Sequence, residues 1–194
     1  MGRERLLLGS SRARTIKSKL RVTGALWHGL SNVAIPTGTG HDPTMTARAC
    51  KPDGHPWIVP YLTLPNVDQA IAFYERAFGF RAAVVLHGPN GSVDHAEVVW
   101  EGGRIMLGPE SEEHTARAPM TSQVPSPIAI YVYTDDVANR YNTAIKEGAE
   151  PIEEPTVMPW GDRIAILADP WGYKWTFAQN LADFYSHIEA LNSR

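Results

Sequence analysis

The chain of 194 residues has a single cysteine, Cys50, which excludes any disulfide within it. A fold stapled by disulfides is therefore ruled out, and a reducing, cytoplasmic setting is the expectation. No apolar run approaches the roughly 20 residues that a bilayer-spanning helix needs, so a membrane is not an expected partner. Charge of one sign is also scarce. A formal net charge of −3 gives no basic surface to hold a nucleic acid. What is present is a globular composition, 43% hydrophobic and 20% charged, in a length that favours one domain with a sizeable core.

Residues 1–44 stand apart. Arg3, Arg5, Arg12, Arg14, Lys17, Lys19 and Arg21 face only Glu4 and Asp42, a balance of +5 that leaves −8 on the remainder. Hydrophobic periodicity is missing, and residues 36–43 are rich in Gly, Thr and Pro. The expectation for residues 1–56 is a basic leader and lead-in. Three readings stay open for the leader: a disordered tail, a start placed upstream of Met45, or an Arg-rich, acid-poor transit peptide. Leu6, Leu7 and Leu8 are too short a run for a secretory signal.

From residue 57 onward the pattern repeats. Residues 57–108 and 126–179 both read as strand, helix, then three strands, with landmarks at a shift of 70: Tyr61 and Tyr131, Val67 and Val137, Gly102 and Gly172. In the first copy, residues 57–64 read as a strand with Pro60 marking an edge or bulge. Asn66 and Gln69 resemble a capping box before a helix whose apolar face is Val67, Ala70, Ile71, Tyr74, Ala77 and Phe78. Gly79 ends it. Strands are expected over 81–86, 93–100 and 104–108. Residues 109–125 read as a linker. The second copy predicts strand 127–134, helix 136–147, strand 150–154, a loop over 155–161, then strands 162–168 and 173–179. Asn180 could cap a C-terminal helix over 180–194 with Leu181, Phe184, Tyr185, Ile188 and Leu191 on one face.

A βαβββ unit used twice resembles the vicinal oxygen chelate superfamily of glyoxalases, bleomycin-resistance proteins and extradiol dioxygenases. The wording is most similar to its PhnB-like branch. Pro60-Tyr61-Leu62, Ala72-Phe73-Tyr74 with Ala77-Phe78-Gly79, and His95-Ala96-Glu97 carry the likeness in the first half. Trp160-Gly161-Asp162-Arg163 and Asp169-Pro170-Trp171-Gly172 carry it in the second. The resemblance covers residues 57–179. It implies an α+β fold, with two βαβββ modules forming an incomplete barrel-like mixed sheet, helices outside and a central cleft, made within one chain or by exchange between two. It also implies four metal-ligand positions, which fall on Val59, Met106, Ala129 and Thr176. Those side chains lack the imidazole, carboxylate or thiolate donors a divalent ion needs. The expectation is no metal at these positions and no cofactor. A glyoxalase-type enediolate mechanism, which needs a metal, is disfavoured with them.

Strand alternation sorts the faces. Ile58, Leu62, Leu64, Ile105, Leu107, Ile128, Ile130, Val132, Trp175 and Phe177 should pack on helices. Val59, Tyr61, Thr63, Arg104, Met106, Ala129, Tyr131, Tyr133, Lys174 and Thr176 should line the cleft, joined by His95, Glu97 and Val99 and, in the repeat, by Arg163, Ala165 and Leu167. The candidate ligand-binding set is Tyr61, His95, Glu97, Arg104, Met106, Tyr131, Tyr133, Trp160, Arg163 and Thr176. Each also has a plainer role: rings can fill space, Arg104 and Lys174 can sit at strand ends in water, and Arg163 can pin the loop before it. Such a wall of aromatic groups with sparse polar ones suits a small-molecule ligand. The leading expectation is a homodimeric, metal-independent small-molecule-binding protein. The alternative is a lyase, isomerase or dioxygenase using a displaced metal, or His95 and Glu97 as acid and base. A module with a vestigial cleft is the third reading.

Overall fold

The computed structural model describes residues 49–113 and 115–182. The basic leader lies outside the described residues, as do residues 183–194 of the C-terminal helix expected over 180–194; Asn180, its expected cap, is instead the last residue of a strand, and its side-chain amide donates to Asp162. The first module contains β1 (Tyr61–Leu64), α1 (Val67–Phe73), β2 (Arg81–His87), β3 (Val93–Trp100) and β4 (Gly103–Pro109). After a short helix, α2 (Pro119–Ser122), the second holds β5 (Ala129–Tyr133), α3 (Val137–Lys146), β6 (Glu150–Val157), β7 (Asp162–Ala168) and β8 (Lys174–Asn180). Each module is one four-stranded mixed sheet, β1-β4-β3-β2 and β5-β8-β7-β6, with the first strand parallel to the last. The α+β class and the twofold βαβββ plan are as expected. Among the described residues no ladder joins the two sheets into a closed barrel.

Local chemistry sets the boundaries. Asn66 Oδ1 accepts from the Gln69 amide at 2.9 Å, and Asp136 Oδ1 accepts from the Asn139 amide at 3.0 Å, so both long helices begin on side-chain caps. α1 gives way at Tyr74 to a π-helical turn through Phe78, closed by Gly79 in the left-handed conformation at φ 72°. β1 starts only after Pro60, which has no N–H for a ladder and whose carbonyl accepts from Met106 N. Trp57 and Ile58 therefore stand outside the sheet at 77% and 86% exposed, and Ile128, one residue ahead of β5, is 70% exposed, so Ile58 and Ile128 do not join the helix-side face. β6 continues to Val157 through residues expected to be loop. The linker between modules is more ordered than its sequence indicates: Ala118 is fully buried and Met120 N donates to Trp171 O across the boundary.

The two sheets turn their helix-side faces toward one core. Leu62, Leu64, Ile105 and Leu107 of the first join Trp175, Phe177, Ala165 and Leu167 of the second in a single cluster. Phe78 is its hinge, with ring centroids 4.8 Å from Trp175 and 5.0 Å from Phe177. Asp169 bonds both modules. Its Oδ2 accepts from the Tyr74 hydroxyl at 2.8 Å and the Trp175 indole at 2.9 Å, while Oδ1 accepts from the amides of Trp171 and Tyr173. Since both helix-side faces meet in this core, both opposite faces point away from it.

Candidate functional site

On the open face of the first module, the register sets Val84 beside Glu97, Glu97 beside Met106 and Met106 beside Tyr61, one residue from each strand. Glu97 is only 7% exposed. A buried carboxylate needs partners to offset its lost hydration. Arg104, two residues before Met106 and so on the same face, donates from Nη1 to Glu97 Oε2. His95 Nε2 lies 3.5 Å from Oε1, and His55 Nε2 lies 3.5 Å from Oε2. Burial holds the His95 imidazole below its ordinary pKa of 6.5, so it is neutral at pH 7 despite the carboxylate. Arg104 Nε is buried with no hydrogen-bond partner among the described residues. The Tyr61 ring, 6.0 Å from that of His95, lies over Gly108, where a Cβ would collide with the phenol.

The open face of the second module is built around a different acid. Asp162, at the start of β7, is 5% exposed. Its Oδ2 accepts from the hydroxyls of Tyr131 at 3.0 Å and Tyr133 at 3.3 Å, and its Oδ1 accepts from the Asn180 amide at 3.0 Å. Burial alone would raise the Asp162 pKa, but the bonds from Asn180, Tyr131 and Tyr133 outweigh it and the carboxyl titrates below its ordinary range. Tyr131 moves the other way. Burial and its bond to Asp162 raise its hydroxyl to about 12, and Tyr133 is raised by the same causes. The two rings meet edge to face at 5.4 Å. Tyr131 is 46% exposed and Tyr133 58%. Thr176 pairs with Tyr131 in register and is buried beneath this face.

The structure thus gathers Tyr61, His95, Glu97, Arg104 and Met106 on one open face and Tyr131, Tyr133, Trp160 and Thr176 on the other. Arg163 is the correction. It pairs with Gln179, and its alternation partners Ala165 and Leu167 lie in the helix-side core opposite Phe177 and Trp175. The shift of 70 fails by one residue in β7. Four residues separate the paired Val99 and Arg104, whereas five separate Ala168 and Lys174. The longer turn reverses the parity of β7, so Asp162, Ile164 and Ile166 take the open face. Lys174 is exposed at the start of β8, in keeping with its plainer reading. Sequence reasoning missed Asp162 for this reason, although it lay inside a quoted motif. His55 carried no signal, because it comes from an unpatterned stretch before β1.

The metal implied by the resemblance does not fit the residues present. Met106 and Thr176 sit on the two open faces and, with Val59 and Ala129, supply no imidazole or carboxylate. Among the described residues, no group of three or more His, Cys, Asp or Glu is arranged to hold an ion. The carboxylate flanked by two imidazoles is already engaged by the Arg104 cation.

Comparison with known proteins agrees with this architecture. The sequence profile of the Glyoxalase/Bleomycin resistance protein/Dioxygenase superfamily matches residues 33–177. The Mycobacterium tuberculosis (strain H37Rv) protein Rv0887c is 29% identical over 126 residues, which span 64% of this chain and 74% of that protein. Among solved structures, TioX from Micromonospora sp. ML1 is 25% identical with a TM-score of 0.51, covering 64% of this chain and 98% of TioX. The Arabidopsis thaliana At5g48480 gene product is 22% identical with a TM-score of 0.52, covering 62% and 96%, a likeness of fold alone. With a profile spanning most of its length and the two βαβββ modules in place, the chain belongs to the Glyoxalase/Bleomycin resistance protein/Dioxygenase superfamily.

Proposed function

We propose that this protein binds a small, amphipathic, partly aromatic molecule in a cleft assembled from two copies of the chain, without a metal at the superfamily positions. The carrying observation is the orientation of the two open faces. Both turn away from the shared core, and both present accessible rings (Tyr61, Tyr131 and Tyr133) above a few buried polar groups. Apolar walls with sparse, placed polar groups are the make-up of a ligand site. A face that stays open in one chain becomes a closed pocket only when a second body covers it, and an identical copy is the simplest such body. Arg104, held through Nη1 by Glu97, gives the first face one fixed cationic group. Native mass spectrometry of the full chain, before and after exposure to a panel of aromatic amphiphiles, tests this. A dimer that retains a small molecule is expected, with retention lost in Tyr61→Ala. A monomer that binds nothing in the panel would overturn the proposal.

A second reading uses His95 as a base. Burial keeps its imidazole neutral, 3.5 Å from Glu97, which favours a proton-transfer role in a lyase, isomerase or dioxygenase-type step. Arg104 counts against it by holding Glu97 as a satisfied anion. Turnover abolished by His95→Gln with ligand binding intact would promote this reading; unchanged ligand chemistry would retire it.

A further inference from the structure

We infer that the Asp162 face is a receptor for an organic cation, so that the ligand proposed above carries a protonated or quaternary amine. The inference rests on that binding role and specifies its chemistry. Asp162 is a buried carboxylate, yet each of its hydrogen-bond partners among the described residues is a neutral donor: two phenols and one carboxamide. Among the described residues no ion pair reaches it, whereas Glu97 on the other face has Arg104 and two imidazoles. One face is therefore compensated and the other keeps an unbalanced negative charge.

The hydrogen bonds also fix what this face can offer. A phenol has one proton, and those of Tyr131 and Tyr133 are both committed to Asp162. Toward a ligand the two oxygens are left as acceptors, and donation into a carboxylate polarises them further. Around these acceptors stand three partly exposed rings, Tyr131, Tyr133 and Trp160, with negative faces that attract cations. Acceptors, a buried anion and aromatic faces together select a positively charged group and reject an anion.

Isothermal titration of the full chain with four probes tests this: benzyltrimethylammonium, phenethylammonium, neutral benzyl alcohol and anionic benzylsulfonate. Both cations should bind at least about tenfold more tightly than the other two, a ratio within reach of a desolvated cation–π site. Asp162→Asn should abolish that preference. Tyr133→Phe keeps the ring but loses the acceptor, so it should weaken phenethylammonium, which has N–H donors, more than benzyltrimethylammonium, which has none. This second variant carries the test if Asp162→Asn does not fold. Equal binding of benzyl alcohol or benzylsulfonate would overturn the cation reading while leaving a ligand cleft standing. Binding of none of the four would overturn the cation reading, and the ligand panel above then decides the cleft by itself.

Discussion

Glu97 and Asp162 are both buried acids, but they are partnered by opposite means, one by a guanidinium and the other by neutral donors. Their removal should differ accordingly. Glu97→Gln leaves the Arg104 charge largely buried and unpaired, and should cost about 2–4 kcal/mol in urea unfolding. The double change with Arg104→Met should recover part of that loss, because the stranded charge goes with it. For Asp162 the effect appears in acid. Its folded pKa lies below the unfolded 3.8, so its contribution is fully present above pH 3.8 and is lost as pH falls through the lowered folded value. Comparing unfolding free energy against pH for the natural chain and Asp162→Asn should show curves that converge below that range. His95 acts in the same direction at higher pH. Its folded pKa lies below 6.5, so stability declines as pH drops beneath 6.5 and levels off past the folded value. The residue chemistry was partly legible: His95, Glu97 and Arg104 share a strand face by simple alternation. Nothing local revealed that His55 would close over them, because a contact supplied by a segment without periodicity leaves no pattern in the sequence.

At the scale of elements, the helices announce themselves through their caps. Asn66→Ala and Asp136→Ala should each cost about 1 kcal/mol, additively, since they cap different helices. Gly79→Ala should cost at least as much. Its φ of 72° disfavours any side chain, and the Arg140 guanidinium occupies the space a Cβ would enter. A urea titration of each variant checks these values. The same elements show where periodicity stops informing. The apolar spacing from Val67 to Phe78 is right about which side is buried, yet it cannot distinguish an α turn from the π turn at Tyr74–Phe78, because both present the same rings to the core. Residues 57–60 look like strand by composition, but β structure needs ladder partners, and Pro60 supplies no donor.

At the scale of the molecule, Asp169 joins the modules that the repeat divides. Its four donors come from both halves, and burial raises its pKa against the pull of those bonds. Asp169→Asn would set an amide against two of them and should cost about 3 kcal/mol, with Tyr74→Phe costing about 1–2 kcal/mol. Unfolding followed separately by ring fluorescence and far-UV dichroism should remain coincident in the natural chain and separate in Asp169→Asn, if this residue couples the halves. The duplicated plan was readable from landmark spacing alone, as was the apolar side of most strands. The distribution of charge between the halves was not, because it hangs on a single additional residue in the turn between Ala168 and Lys174. That residue also makes the halves non-interchangeable. β3 exchanged alone into the second half at the shift of 70, with the longer turn kept, would arrive inverted, placing Glu97 opposite Trp175 and His95 opposite Phe177 and turning the apolar Ala96 and Val98 to the open face. Recombination that separates β3 from its own turn is thus penalised by the fold itself, and each half is free to drift toward its own chemistry.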